Sequence, residues 1–305
     1  GALALVERGV RVRRTPVAAA GLGGLALLAG VGLLLPRLLA PPAGRAAVVV
    51  GAKPFTEQYV LARLVASRLR AAGFAVDLRE SLGSTVLLDG LMAGEVDVAV
   101  DYSGTLWANA LHRTDTAEAQ TVIDGVCGWL APKVGCVGPL GFENAYGLAV
   151  RHADAASRGW STIADLAARA PQLTIGSDFE FFQRPEWASV RDTYGLHFAE
   201  QRSFDPTFLY EAAGTGEVDV VTAYTTDGRI DAYDLDVLED PRAALPPYDA
   251  LLLVAEGAPD GVRQALAPLV GAIGVRAMRR ANRAVDVDGQ TPEAAAAALD
   301  ASLDR

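Results

Sequence analysis

The sequence predicts an α/β protein with two similar lobes that follows one transmembrane helix, and three observations lead to this fold class. The pentapeptide GEVDV occurs at 94–98 and again at 216–220. An apolar strand that ends in glycine precedes each copy, VVVG at 48–51 and LTIG at 173–176. The third observation is an uncharged apolar run at 17–35.

The apolar run is nineteen residues long, and at ~1.5 Å per residue this is roughly the thickness of the hydrocarbon core of a bilayer. Arginines cluster before the run and are sparse after it, so the positive-inside rule places the N-terminus in the cytoplasm and the later residues outside. A cleaved signal peptide is the alternative, but the run is longer than a usual signal core and the cleavage site is weak. We therefore expect a cytoplasmic segment over 1–16, a transmembrane helix over 17–39 and a proline-rich linker over 40–45.

The two GEVDV copies place two tyrosines in equivalent positions. Each copy follows a helical pattern, where its glycine suits the helix C-terminus and its V-D-V suits the entry into a strand. Tyr102 and Tyr224 stand five residues after the two aspartates, and each is followed by a hydroxyl residue. Open α/β sheets place ligand sites at the C-terminal ends of their strands, so both tyrosines are expected to face a cleft shared by the lobes. Chance recurrence in a valine-rich chain is the alternative.

Composition excludes some function classes. The chain has 305 residues, 51% of them hydrophobic, and a formal net charge of −10. This size suffices for one large or two medium packed cores. The negative charge argues against a nucleic-acid partner, because phosphate binding needs a basic surface. No nucleophile motif, phosphate loop or metal-ligand spacing accompanies the three histidines, so we expect no enzyme, no cofactor and no metal.

Cys127 and Cys136 lie close together in the segment VCGWLAPKVGC. Metal sites usually need three or four ligands, and no histidine is suitably spaced from these cysteines. A disulfide that closes a short loop is the favoured interpretation if this part of the chain is extracytoplasmic. Two independent thiols are the alternative.

Seven segments, in order over 48–305, resemble the osmoprotectant binding proteins of the glycine betaine/choline/carnitine ABC importer family. They are GAKPFTEQ (51–58), LGST (82–85), GEVDVAVDYSGT (94–105), GFENAYGLAV (141–150), FEFFQR (179–184), AYTTDGRI (223–230) and LPPYDA (245–250). The resemblance implies a two-lobed periplasmic-binding-protein type II fold. We expect lobe 1 over 46–147 and 247–305, and lobe 2 over 148–246. The first fourteen residues are also similar to the end of a permease subunit fused to its binding protein.

In that family four tyrosines form a cage around a quaternary ammonium group. The matching positions are Tyr102, Tyr146, Tyr224 and Tyr248. A quaternary ammonium has no N–H to donate and keeps its charge at every pH, so aromatic faces suit it. The repeat supports the first and third of these tyrosines independently, whereas the other two depend on the resemblance. The remaining tyrosines, at 59, 194, 210 and 233, are interpreted as structural.

The carboxylate of a zwitterionic ligand is met in the family by residues that match Lys53, Thr105 and Arg184. Lys53 is one of only two lysines and follows a strand-ending glycine, which favours function over an ordinary surface lysine. Asn144 occupies a position where the family has aspartate or asparagine. Ala99 and its neighbour replace the tyrosine–proline that the family often has, which could shift the preference among ligands.

The expected function is that of the extracytoplasmic substrate-binding domain of an ABC importer at the cell membrane. Its ligand would be glycine betaine, choline or carnitine, bound in a tyrosine cage between the lobes. Its partners would be the permease, the ATPase subunit of the importer, and the membrane through the N-terminal helix. Two alternatives remain open, namely another trimethylammonium ligand such as ergothioneine, and a tethered ligand sensor without a transport role.

Overall fold

The computed structural model describes residues 47–113, 115 and 117–303. The predicted cytoplasmic segment, transmembrane helix and linker lie outside the described residues. In the part of the chain that is described, no helix combines the length and the apolar character that crossing a bilayer requires.

Strands and helices alternate along most of the chain. The strands are β1 (Val48–Gly51), β2 (Val76–Arg79), β3 (Val98–Tyr102), β4 (Val134–Glu143), β5 (Tyr146–Arg151), β6 (Thr174–Ser177), β7 (Glu200–Ser203), β8 (Val220–Tyr224), β9 (Leu235–Val237) and β10 (Asp249–Ala255). The helices are α1 (Thr56–Ala71), α2 (Ser84–Ala93), α3 (Ser103–Asn109), α4 (Ala119–Leu130), α5 (His152–Arg158), α6 (Pro185–Tyr194), α7 (Pro206–Thr215), α8 (Arg229–Ala232), α9 (Val262–Leu266), α10 (Val275–Asp286) and α11 (Pro292–Leu303).

The strands form two five-stranded sheets, ordered β2-β1-β3-β10-β4 and β7-β6-β8-β5-β9. In the first sheet β1 is parallel to β2 and β3, while β10 is antiparallel to β3 and β4. In the second sheet β6 is parallel to β7 and β8, while β5 is antiparallel to β8 and β9. The two sheets thus have the same arrangement position by position, with β3 and β8 at the centre. The predicted pair of similar α/β lobes is confirmed.

The chain passes between the sheets twice. It leaves the first sheet after Glu143 and enters the second at Tyr146. It returns between Val237, the end of β9, and Asp249, the start of β10. We call the parts that carry the first and second sheets lobe 1 and lobe 2. The predicted boundaries at 147/148 and 246/247 stay a prediction, and β5 already begins at Tyr146.

The repeated pentapeptide has the same structural role in both lobes. Gly94 and Gly216 adopt left-handed conformations, with φ of 74° and 84°, where α2 and α7 end. Glycine tolerates this conformation because it lacks a Cβ atom. The carboxylate of Asp97 accepts a hydrogen bond from a backbone N–H of β1 at 2.8 Å, and that of Asp219 accepts one from β6 at 2.9 Å. Each aspartate therefore fixes a central strand beside its neighbour.

Apolar side chains cover both faces of each sheet. In lobe 1 one face packs mainly against α1, α10 and α11, and the other against α2, α3 and α4. In lobe 2 two further clusters, which include Trp187 and Tyr210, play the same part. Burial on both faces explains the continuous apolar runs in the central strands. It also holds the last residues of β3 and β8, Tyr102 and Tyr224, at defined positions.

Cys127 of α4 and Cys136 of β4 are joined by a disulfide. We expect the double substitution Cys127→Ala/Cys136→Ala to lower the free energy of unfolding by about 2–3 kcal/mol, because the bond restricts a short loop in the unfolded chain. Urea unfolding of the oxidised and substituted chains measures this difference. A thiol titration in denaturant without reductant is the control, and two reactive thiols per chain would contradict the pairing.

Candidate functional site

A cavity of about 570 Å³ is lined by residues of both lobes. Seven of the eight ligand-binding residues predicted from the sequence line it. They are Tyr102, Thr105, Asn144, Tyr146, Arg184, Tyr224 and Tyr248. Phe55, Trp107 and Glu186 also line the cavity and were not predicted. Six of the seven segments that resemble the importer family contribute a residue to this cavity, the first of them through Phe55.

Tyr146 and Tyr224 form the aromatic part of the lobe 2 wall of the cavity. They are direct partners across the antiparallel pair β5–β8. Their ring centroids are 4.7 Å apart, and the hydroxyl of Tyr224 donates a hydrogen bond to that of Tyr146 at 2.9 Å. Burial raises the pKa of both phenols, so both stay neutral near pH 7. Tyr224 remains 42% exposed, which leaves an aromatic face open to a ligand.

Tyr102 ends β3 and contributes to the lobe 1 wall. It is 5% exposed, and its hydroxyl donates a hydrogen bond to Oε1 of Glu57 at 2.6 Å. The amide of Gln58 donates to the same hydroxyl at 3.2 Å. The ring stacks on Phe55 with centroids 6.2 Å apart. Burial, reinforced by the charge of Glu57, raises the pKa of Tyr102, so the residue acts as a neutral phenol.

Tyr248 reaches the cavity because a glycine faces it. A Cβ atom on Gly104 would lie 2.6 Å from the carbonyl oxygen of Pro247 and 2.8 Å from the Tyr248 ring. Any larger residue at this position of α3 would displace the tyrosine. The Tyr248 hydroxyl lies 3.5 Å from Oε1 of Glu186, and its backbone N–H donates to Glu143 at 3.3 Å. The YSGT segment therefore contributes the side chain of Thr105 and, at Gly104, a backbone that lies close to Tyr248.

Arg184 is a cationic residue of the cavity wall that lies beside Tyr146. Its guanidinium lies 5.3 Å from the centroid of the Tyr146 ring. It donates two hydrogen bonds to Glu186, from Nε at 3.2 Å and from Nη2 at 2.9 Å. Burial alone would raise the pKa of Glu186, but the hydrogen bond and charge of Arg184 outweigh it and lower this pKa. A guanidinium has five N–H donors, so a ligand carboxylate can share it with Glu186.

Lys53 does not line the cavity, in contrast to the placement that the resemblance implies. It is 4% exposed, and its Nζ lies 2.5 Å from Oδ1 of Asp101, which is 1% exposed. Asp101 also accepts the backbone N–H of Tyr102 at 2.7 Å. The physical reason is that a buried ammonium requires a partner, and the adjacent strand β3 supplies one. Contact between Lys53 and a ligand stays a prediction.

Glu186 in the cavity wall and Glu57 behind Tyr102 are two carboxylates that the sequence did not identify. Glu57 belongs to the same GAKPFTEQ segment as Lys53, so the motif was a usable signal. Glu186 lies two positions after Arg184, but nothing local indicates that the pair faces a cavity. Within the described residues no group of three or more histidine, cysteine, aspartate or glutamate side chains is arranged to hold a metal ion.

Two curated proteins and one solved structure are informative relatives. The chain is 27% identical over 217 residues to the "Ergothioneine transport permease/ergothioneine binding protein EgtU" of Helicobacter pylori, which covers 68% of this chain and 38% of that protein. It is 28% identical over 276 residues to the "Glycine-betaine-binding protein" of Pseudomonas aeruginosa, which covers 81% and 85% of the two chains. The chain thus corresponds to well under half the length of the Helicobacter protein.

The fold is similar to that of the solved "glycine betaine/carnitine/choline ABC transporter", with a TM-score of 0.79 and 25% identity. The superposition covers 84% of this chain and 98% of that chain. Residues 46–301 match the family described as the substrate binding domain of the ABC-type glycine betaine transport system. Since this match includes both lobes and every residue of the cavity wall, the protein belongs to that family of substrate-binding domains.

Proposed function

We propose that the protein binds a quaternary ammonium compound outside the cytoplasm and delivers it to an ABC permease. The observation that carries this proposal is the convergence of four tyrosines on one cavity, with Arg184 beside them. Aromatic faces attract a fixed cation through their quadrupole, and each contact contributes on the order of 0.5–2 kcal/mol when desolvated. Neither catalysis nor metal chemistry is needed for this role.

The two poles of a zwitterionic ligand would meet different residues. The trimethylammonium group would lie against the rings of Tyr102, Tyr146, Tyr224 and Tyr248. The carboxylate would bind Arg184 and Thr105, with Asn144 at the cavity wall and Lys53 close by. Guanidinium groups suit carboxylates because their N–H donors form a planar fork.

Ligand binding would favour a closed arrangement of the lobes. Tyr102 belongs to lobe 1 and Tyr224 to lobe 2, so a cation that contacts both favours the closed arrangement. The two segments where the chain passes between the lobes would act as the hinge. The closed form would then dock on the permease, which an ATPase subunit drives. Anchoring by the predicted helix at 17–39 would keep the domain on the outer face of the membrane and raise its effective concentration at the permease.

Ergothioneine is a second candidate ligand, because it too carries a trimethylammonium group and is larger than glycine betaine. Trp107 and Asn109 of α3, and Arg113 beyond it, also line the cavity and are available to the additional part of a larger ligand. The relation to the Helicobacter protein supports the same candidate.

Calorimetric titration of the purified chain tests both candidates. We expect at least one of glycine betaine, choline, carnitine and ergothioneine to bind with micromolar or tighter affinity, equivalent to about 8 kcal/mol. Proline, which lacks the methylated ammonium, is the matched control and should give no heat of binding. Ergothioneine binding much more tightly than glycine betaine would select the second candidate. Absence of binding by all four methylated ligands would contradict the proposal.

A further inference from the structure

Glu57 is a buried carboxylate that no part of the proposed binding mechanism uses. It lies in the first turn of α1 and is 3% exposed. Its Oε1 accepts hydrogen bonds from the Tyr102 hydroxyl at 2.6 Å and from Nδ2 of Asn144 at 3.2 Å. Its Oε2 accepts one from Nδ2 of Asn282 at 2.9 Å, and the side chain of Thr226 is a further partner. Two of these four partners, Tyr102 and Asn144, belong to the cavity wall.

Every hydrogen-bond donor that this carboxylate meets is a neutral side chain. The nearby cations have carboxylates of their own. The Lys53 ammonium lies 5.4 Å from the centroid of the Tyr102 ring and pairs with Asp101, and Arg229 pairs with Asp227. A buried negative charge is costly unless hydrogen bonds or an opposite charge compensate it. The four neutral donors supply the hydrogen bonds, but they leave the charge itself in place. Its field therefore acts on the adjacent cavity through a medium of low dielectric constant.

Tyr102 transmits this charge toward the ligand. A phenol that donates a hydrogen bond to a carboxylate forms a charge-assisted bond, which is shorter and stronger than a neutral one. Hydrogen bonds in series also polarise one another, so the ring of such a phenol gains electron density. Cation–π attraction depends on that density, whereas van der Waals contact with a neutral group of the same shape does not.

Glu57 also connects elements that must keep their relative positions. Thr226 follows Tyr224 by two residues in the loop after β8, and Asn282 lies on α10. The amide of Asn282 donates to the backbone oxygen of Thr226 at 2.9 Å as well as to Glu57. The carboxylate thus ties the lobe 1 tyrosine to the loop that begins at the lobe 2 tyrosine.

We propose that Glu57 is a positioning residue that holds Tyr102 and Asn144 in the cavity wall and, through the Tyr102 phenol, makes the cage select a cation over a neutral group of the same shape. This inference depends on the proposed function, because it assumes that the tyrosines bind a quaternary ammonium group. It assigns the selection of charge to a side chain that does not touch the ligand.

Matched pairs of ligands separate charge from shape. Choline is compared with 3,3-dimethylbutan-1-ol, and glycine betaine with 3,3-dimethylbutanoate, in which a neutral tert-butyl group replaces the trimethylammonium group. For the pair that the intact chain binds, we expect Glu57→Gln to weaken the member with the trimethylammonium group by about tenfold and the member with the tert-butyl group by less than about twofold. Equal losses for both members, or no loss for the trimethylammonium member, would overturn the inference. If the unsubstituted chain binds no methylated ligand, the proposed function itself is wrong. If it binds one but Glu57→Gln has no selective effect, only this inference is wrong.

Two further variants keep the test decisive. Tyr102→Phe retains the ring but removes its hydrogen bond to Glu57, so it should reduce the preference for the cation in the same direction. If Glu57→Gln does not fold, this variant carries the test, and an unchanged preference would overturn the inference. Asp286→Asn is the matched control, because Asp286 lines the adjoining cavity with Glu57 but bonds to Thr56. A loss in this control as large as that of Glu57→Gln would assign the effect to the general negative field and would also overturn it.

The pH dependence of choline binding is an independent readout, because choline does not titrate in acid. Burial raises the pKa of Glu57, although its four hydrogen bonds act in the opposite direction. On acidification Glu57 therefore becomes protonated at a higher pH than an ordinary glutamate does. The loss of its negative charge should lower the affinity for choline. The charged groups around this site are Lys53, Asp101, Asp227, Arg229 and Asp286. Burial also raises the pKa of Asp101 and Asp286, so some dependence on pH remains in Glu57→Gln. The fall is expected to be smaller in Glu57→Gln, and an identical fall in both proteins would overturn the assignment.

Discussion

Replacing Tyr224 with alanine is expected to weaken binding of the methylated ammonium ligand by more than about tenfold. The substitution removes the most exposed aromatic face of the cavity wall. It also removes the hydrogen bond to the Tyr146 hydroxyl and the contact between the two rings. Isothermal titration calorimetry of the substituted and unsubstituted chains measures the change in ligand affinity. Retained secondary structure and melting temperature would show that the loss arises at the site.

Tyr194→Phe is the matched control for Tyr224→Ala. Tyr194 is buried, and its hydroxyl donates a hydrogen bond to Asp240 while accepting one from the backbone N–H of Arg242. Alanine at this position would leave a cavity in the core of lobe 2, so phenylalanine is the cleaner substitution. We expect it to leave ligand affinity unchanged, because Tyr194 does not line the cavity. Equal losses of affinity in the two variants would show that the assignment of the tyrosines is wrong.

Lys53→Met is expected to lower the free energy of unfolding by about 3–5 kcal/mol. It leaves the Asp101 carboxylate buried without its cation, with one backbone hydrogen bond from Tyr102 remaining. Burial already raises the pKa of Asp101, against the charge of Lys53, so removing the lysine favours the protonated acid. Urea unfolding at pH 7 measures the loss.

The double variant Lys53→Met/Asp101→Asn tests the cause of that loss. Neutralising the aspartate removes the unpaired buried charge, so the double variant should be more stable than Lys53→Met alone. A Lys53→Met protein that is fully stable but fails to bind a carboxylate-bearing ligand would contradict this expectation. That outcome would support the predicted role of Lys53, namely contact with the carboxylate of the ligand.

Much of the fold could be predicted because its signals are local and occur twice. The glycines of the two GEVDV copies, Gly94 and Gly216, end helices, and the residues that follow enter the central strand of each sheet. Short-range conformational preferences decide such features, so the sequence displays them directly. The equivalent places of Tyr102 and Tyr224 at two strand ends follow from the same repeat.

The composition of the cavity wall was predictable in part. Tyr146, Tyr248 and Arg184 could be named only through a resemblance to a family, because single tyrosines and arginines have no distinctive local pattern. Glu186 was not found, since an acid near an arginine can point in any direction until the helix α6 is packed.

The sequence by itself determined the two-lobed α/β architecture and the strand ends on which a binding site could be built. Hydrophobic periodicity, glycine positions and the repeated pentapeptide are each visible within a few residues, so they do not depend on how distant parts of the chain pack. Only the tertiary structure decided which polar side chains pair. Lys53 meets Asp101 across 48 positions, and Glu57 meets Asn282 across 225. Buried charges and amides take the partners that packing brings within hydrogen-bond distance, and no local pattern contains that information.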